Sequence, residues 1–211
     1  HQMHPMELIS QGKGNTDLIS GYTNSSIGIS EQVTLNVGVN ARVLTLNNSW
    51  TLEPRAGIKW QFSPKSSFAL AYGLHSRMEK MDVYFVKTQG TGDRSVNKDL
   101  GFTRAHHVML SYGFKISDNM NMKIEPYFQQ LYDVPVIADS SYSVLNRRDF
   151  YVENALVNRG KGRNIGVDIT LERYLNKGLY YMVTASIFDS KYYGGDRKWR
   201  NTLYNRNFII N

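Results

Sequence analysis

The chain has 211 residues, no cysteine, 41% hydrophobic and 20% charged residues, and a formal charge of +7. That balance excludes a disordered chain and a disulfide-stapled one. No apolar run approaches the roughly 18 residues of a membrane helix, although half-polar barrel strands are not excluded by this. The cations fall in short groups at 147–148, 159–163 and 196–200. Such groups read as solvated loop faces, so no nucleic-acid partner is expected. Residues 1–9 lack the charged-then-apolar pattern of a signal peptide. The chain therefore reads as cytoplasmic or as an interior piece of a longer exported protein.

Residues 1–21 show no periodicity and read as an irregular segment. A weak strand follows at 22–30. Then a period of two dominates, the mark of a ribbon with one apolar and one polar face. Val33, Leu35, Val37, Val39, Ala41 and Val43 alternate with Thr34, Asn36, Gly38, Asn40 and Arg42. The same alternation predicts strands near 55–62, 67–75, 107–116, 120–129, 165–172 and 179–187, with a second weak strand at 202–211. No helical stripe competes; residues 146–156 could hold at most a short helix. The content of 14 Tyr, 9 Phe, 3 Trp and 17 Gly agrees with an all-β chain.

The connections carry more than the strands. Turn chemistry at 30–32, 63–66, 117–119 and 175–178 is tight and rich in Ser, Asp, Asn, Pro and Gly. A brief link at 47–49 and long segments at 77–103, 133–160 and 190–201 lie between these turns. In an antiparallel meander, successive connections alternate ends, so tight turns gather at one end and long loops at the other. An outer-membrane barrel has this arrangement; a soluble sandwich has no reason for it. Strands of 10–14 residues also suffice for the 9–11 that a tilted crossing takes. Aromatic residues near strand ends (Trp50, Trp60, Phe62, Tyr132, Tyr174, Tyr180) resemble interfacial girdles.

Three stretches carry a family likeness. Glu53-Pro54-Arg55-Ala56-Gly57-Ile58-Lys59-Trp60 resembles the "EPR-G-x-x-W" strand of TonB-dependent outer-membrane receptors. Asn158-Arg159-Gly160-Lys161-Gly162-Arg163-Asn164-Ile165-Gly166-Val167-Asp168 is similar to their "N-x-G-x-G-x-N-x-G-V-E" strand start, and 188–192 with 199–202 to the loop that follows. The likeness runs from about Val33 to Asn211 and is nearest to the Bacteroidota branch with a carboxypeptidase-regulatory-like extension. It implies a fold, a place and a set of partners. The fold is an all-β antiparallel meander of about nine long strands, residues 22–211, forming part of a transmembrane barrel of the 22-stranded type. The place is the cell outer membrane. The partners are membrane lipid, a plug domain and further strands elsewhere in the full-length receptor, the TonB complex acting through an N-terminal region, and an unidentified small solute. That solute would be an iron chelate, cobalamin, glycan or peptide. No cofactor is expected. A passive porin or structural barrel, and a soluble β-sheet binding module, are the competing readings.

No catalytic or metal constellation emerges, so the chain is not read as an enzyme. His106 and His107 are adjacent on one strand, point to opposite faces and cannot simply share an ion. Alternation places Arg42, Arg55, Lys59, His75, His107, Lys115, Glu125, Asp168 and Glu172 on the polar face, where they would line the lumen or meet the plug. Arg and aromatic side chains anchor many interfaces. On that ground Tyr84, Arg94, Tyr142, Arg147, Arg148, Tyr192, Arg197 and Trp199 are the expected solute contacts in the long loops.

Overall fold

The structure is a computed structural model describing residues 10–88, 95–147, 151–176 and 178–211. Ten strands form one antiparallel sheet. They are β1 (Leu18–Gly28), β2 (Val33–Leu44), β3 (Ser49–Ser63), β4 (Ser66–Arg77), β5 (Thr103–Ser117), β6 (Met120–Val136), β7 (Val157–Asn176), β8 (Leu179–Tyr193), β9 (Trp199–Asn201) and β10 (Phe208–Ile210). Strands adjacent in sequence are adjacent in the sheet through β8, along which both β9 and β10 lie. A single-turn helix α1 (Met81–Tyr84) and a 3-10 turn (Val144–Asn146) occupy the two longest loops.

Every predicted strand is present, with three differences. β1 begins at Leu18, so residues 18–21 are strand and not irregular. β6 and β7 run on to Val136 and from Val157, which shortens the loop between them to 137–156. The last expected strand is split. Its pairings with β8 are Lys191 with Asn201 and Ile187 with Phe208. Residues 202–207 must therefore span the rise that only 188–190 cover on β8, and the surplus leaves the ladder as a large bulge. Asn205 Nδ2 holds this excursion to Asp189 Oδ1 at 2.9 Å, and Thr202 Oγ1 to Ser190 Oγ at 3.0 Å.

The register carries the alternation across the whole sheet. One row of partners runs Val33, Trp60, Phe68, Tyr112, Ile124, Ile169, Ala185, Ile210. A row on the other face runs Asn24, Gly38, Arg55, Gly73, His107, Gln129, Asn164, Ser190. A one-residue slip anywhere would mix the two sets. The turns sort as expected. The links at 29–32, 64–65, 118–119 and 177–178 lie at one end, and those at 45–48, 78–102, 137–156 and 194–198 at the other.

The buried core is not between layers of sheet but at the long-loop end. Leu44, Val83, Tyr84, Val86, Leu100, Phe102, Val134, Val144, Val152 and Leu156 form one cluster. Leu44 and Val134 belong to strand ends; the rest come from the two long loops and the positions flanking them. Three asparagines stitch these segments. Asn97 accepts from Leu156 N (2.8 Å) and donates to Asn154 O (3.0 Å). Asn47 donates to Leu100 O, and Asn158 donates to Asp133 O, each at 2.7 Å. Asp133 sits at φ 54° where β6 shifts register between Leu131 and Val134, bending the strand toward the loop cluster.

Candidate functional site

All nine residues expected on the polar face stand there by register. Arg55 is opposite Gly38 and Gly73, Lys59 opposite Thr34, His107 opposite Gly73 and Gln129. Glu125 is opposite Asp168, and Lys115 and Glu172 both flank Asn121. Two concavities meet at His107. One, about 310 Å³, is lined by Arg55, Gly57, Ala71, Gly73, His75 and His107. Its floor is cleared by small residues, and a Cβ on Gly73 would stand 2.8 Å from His75 Nε2. The other, about 410 Å³, is lined by His107, Tyr127, Gln129, Asn164, Asp168 and Tyr204 among others. The His75 and His107 rings lie 6.2 Å apart, and Tyr127 meets His107 edge-on at 6.3 Å. A polar chain runs along the same face. Asn164 donates to Gln129 Oε1 (2.8 Å) and accepts from Ser190 Oγ (2.7 Å). Tyr204 comes from the bulge between β9 and β10, which gives no signal in the sequence.

Glu53 is the hub that periodicity does not single out. Its side chain is 4% exposed and lies 3.7 Å from Arg42 and 4.0 Å from Arg55. It accepts from Asn40 Nδ2 at 2.9 Å and from Ser76 Oγ. Glu53 is thus engaged within the wall itself. A buried carboxylate demands such partners, and here they fix both guanidiniums against the sheet. Nearer the short turns Lys123 pairs with Glu125 at 2.8 Å. A third concavity of about 290 Å³ there is lined by Lys65, Lys115, Lys123, Glu172 and Tyr174 among others. The face as a whole offers neutral hydrogen-bond groups at mid-height and mixed charge toward both ends. Such a wall suits a hydrated path or a polar protein surface.

The loop residues do not converge. Tyr84 is 0% exposed, with its hydroxyl accepting from Glu79 N at 3.3 Å. Tyr192 is buried as well. Both rings were expected as open contacts; the loop cluster encloses the first, and the second is buried on the polar face of β8 between Gly162 and Arg200. Tyr142 packs against the same cluster, and Arg147 is half-buried. Arg197 is exposed at φ 62° in the turn after β8. Trp199 lies on the apolar side of β9, with Arg163 5.7 Å from its ring. Arg94 and Arg148 lie outside the described residues, as do His1 and His4. Among the described residues no group of three His, Asp or Glu is placed to hold a metal ion. His106 and His107 do face opposite sides: His106 Nδ1 meets Tyr72 Oη at 2.9 Å and its ring stacks on Tyr132.

The opposite face is apolar and open. Trp60, Phe68, Leu70, Tyr112, Phe128, Ile165 and Ile187 are between about a third and two thirds exposed. Among the described residues no helix is long and apolar enough to cross a membrane. No protein-family model matches the sequence, and no curated protein matches it. Solved structures do. The FrpB iron transporter from Neisseria meningitidis (F3-3 variant) is similar over 86% of this chain and 27% of its own, at 17% identity and TM-score 0.60. The outer membrane transporter YddB from Escherichia coli is similar over 84% and 25%, at 14% identity and TM-score 0.65. The ferric-catecholate import receptor Fiu from E. coli K12, in its closed form, is similar over 92% and 31%, at 11% identity and TM-score 0.68. The chain spans about a quarter to a third of each of these structures, and its fold is that of a run of consecutive wall strands in an outer-membrane transporter.

Proposed function

We propose that this chain is a barrel segment of a TonB-dependent outer-membrane receptor that imports a scarce solute. The observation that carries the reading is the two-faced sheet. A broad apolar face lies open on one side, a hydrogen-bonded polar wall lines the other, and every long loop sits at one end. An open apolar face of this extent costs heavily in water and nothing in lipid. Closing the sheet with further strands, supplied elsewhere in the full-length protein, would also satisfy the free edges at β1 and at β9 and β10. In this reading residues 22–211, with the start of β1 at Leu18, form the partial barrel. The polar face meets a plug domain and the solute path. The solute is captured at the loop end, and energy comes from the TonB complex and not from chemistry in this chain. The matched outer-membrane transporters support the architecture, and the EPR and N-x-G-x-G stretches favour the Bacteroidota branch. The solute belongs to the family's range of iron chelates, cobalamin, glycans and peptides.

The test is fractionation of the source cells with an antibody against residues 133–160, comparing heated and unheated samples. A heat-modifiable outer-membrane band far above the mass of 24.2 kDa is expected. A soluble band near that mass, unchanged by heating, would replace the receptor with a self-contained sheet module.

A further inference from the structure

The apolar face is not uniform across the middle of β5–β8. A groove of about 580 Å³ opens there, with Val108, Leu110, Phe128, Ile165, Val167 and Ile187 along its walls. Pro126, whose side chain is flat, forms part of its floor. Directly above it on the same face the register sets Arg163 opposite Lys191, with Lys161 and Tyr193 two positions further along. Aromatic rings brace the cations: Arg163 over Trp199 at 5.7 Å and Lys161 over Tyr193 at 5.8 Å. Asp189 at the groove's rim lies 3.9 Å from Arg163 and 3.2 Å from Lys191. Three cations against one carboxylate leave the patch positive. Both Arg163 and Lys191 keep a third or more of their side chains exposed.

We infer that this face seats an anionic amphiphile: a phosphorylated lipid of the surrounding leaflet. An acyl chain would lie in the groove, and a headgroup phosphate would bridge Arg163 and Lys191. Charge complementarity selects the occupant. A neutral lipid fills the groove equally well but leaves the cations without a counter-charge beyond Asp189, whereas a guanidinium and an ammonium side by side match a phosphate's oxygens. The aromatic rings sit at headgroup height, where amphipathic rings settle. The inference rests on the proposed placement in an outer membrane, with this end of the strands in the outer leaflet.

The full-length receptor would be purified in detergent and offered three probes: a bis-phosphorylated, multiply acylated diglucosamine lipid, the same lipid without phosphates, and inorganic phosphate. Binding would be read by native mass spectrometry. Preference for the phosphorylated lipid is expected. Each basic side chain near an anionic headgroup is worth about fivefold in affinity, so Arg163→Gln with Lys191→Gln should weaken binding about thirtyfold. Val167→Phe, which fills the groove, should weaken lipid binding while leaving the response to inorganic phosphate unchanged. Equal retention of both lipids would overturn the inference, as would full affinity in the double variant. Displacement of the lipid by millimolar inorganic phosphate would reassign the patch to free anions. A heat-modifiable receptor with no lipid preference sinks this inference only; a soluble 24.2 kDa chain sinks the receptor reading beneath it.

Discussion

In the proposed receptor the loop cluster and the strand wall are folded by different solvents. In the cluster, Tyr84, Val83, Leu44 and Val134 are at or near zero exposure, and asparagine side chains close the backbone groups between them. That is how a water-soluble protein is built: apolar surface removed from water, buried polar groups paired. In the wall, side chains of the same kinds stand open, Ile187 at 62% and Trp50 at 65%. Among the described residues no second layer covers them. The wall's backbone is satisfied strand to strand, so it needs a neighbour only for its apolar side chains, and in the proposed receptor lipid is that neighbour. The difference teaches that exposure on the wall and burial in the cluster express one rule applied in two media.

Removing apolar volume should therefore hurt the cluster and spare the wall. Tyr84→Ala empties the centre of the cluster. It should cost about 3–5 kcal/mol locally, the range for deleting a buried aromatic ring. Hydrogen exchange would register this as lost protection at Val83, Val96 and Leu156, with β3–β5 unchanged. Protection lost evenly across the strands would show that cluster and wall are one cooperative unit. Adding charge should reverse the ranking. Leu110→Arg places a cation on the apolar face near mid-wall and should cost about 2–4 kcal/mol in a bilayer. Ser111→Arg, one residue on, faces the polar side and should cost far less. Denaturant unfolding of the full-length protein in vesicles would compare them, and equal costs would invalidate the assignment of faces.

The wall was legible in the sequence because period two is a local signal. Val108 to Ile116 declares its two faces within nine residues, and the turn residues at 63–66 and 117–119 fix which strands pair. The cluster was not legible. Its defining contacts join Asn47 to Leu100 and Asn97 to Leu156, positions more than fifty residues apart with no periodic mark. Tyr84 lies in the short run Val83-Tyr84-Phe85-Val86 between Lys80, Asp82 and Lys87, too brief to show a period, and only tertiary packing buries it. Glu53 illustrates a third case. The Glu-Pro-Arg stretch was visible and its Arg55 was expected on the polar face, but the ion pair of Glu53 with Arg42 depends on the register between β2 and β3. The split of β9 from β10 was hidden for the same reason: a bulge is a mismatch between two strands, and one strand's sequence does not contain it.

The asparagine stitches offer a finer cut through the same contrast. Asn97 is 1% exposed and engages one backbone donor and one acceptor. Asn97→Ala leaves the buried Leu156 N–H without its acceptor, which should cost about 1–3 kcal/mol. Asn24→Ala, on the exposed β1, should stay within about 0.5 kcal/mol. Amide exchange at Leu156, which loses its acceptor outright, is the direct readout. Unchanged exchange there would mean that water replaces the side chain, and that the cluster is wetter than its packing shows.

The smallest expected effect concerns Glu79, a carboxylate that the cluster buries without settling fully. Burial raises its pKa above the ordinary carboxylate value, against the opposing pull of Arg77, whose guanidinium lies 3.6 Å away, and of Arg147. The folded state therefore holds this proton to a higher pH than the unfolded chain does. Stability from this group is full below the unfolded carboxylate pKa, about 4.3. It falls as pH rises from there to the raised folded value, because over that window the folded state binds more protons. Glu79→Gln imitates the protonated form and should remove the slope. Wild type and variant should protect residues 78–102 equally near pH 4, and the variant should hold the loop more tightly as pH approaches 7. If Glu79→Gln instead loosens the loop at neutral pH, the ion pair with Arg77 outweighs the burial cost, and the carboxylate belongs among the cluster's stitches.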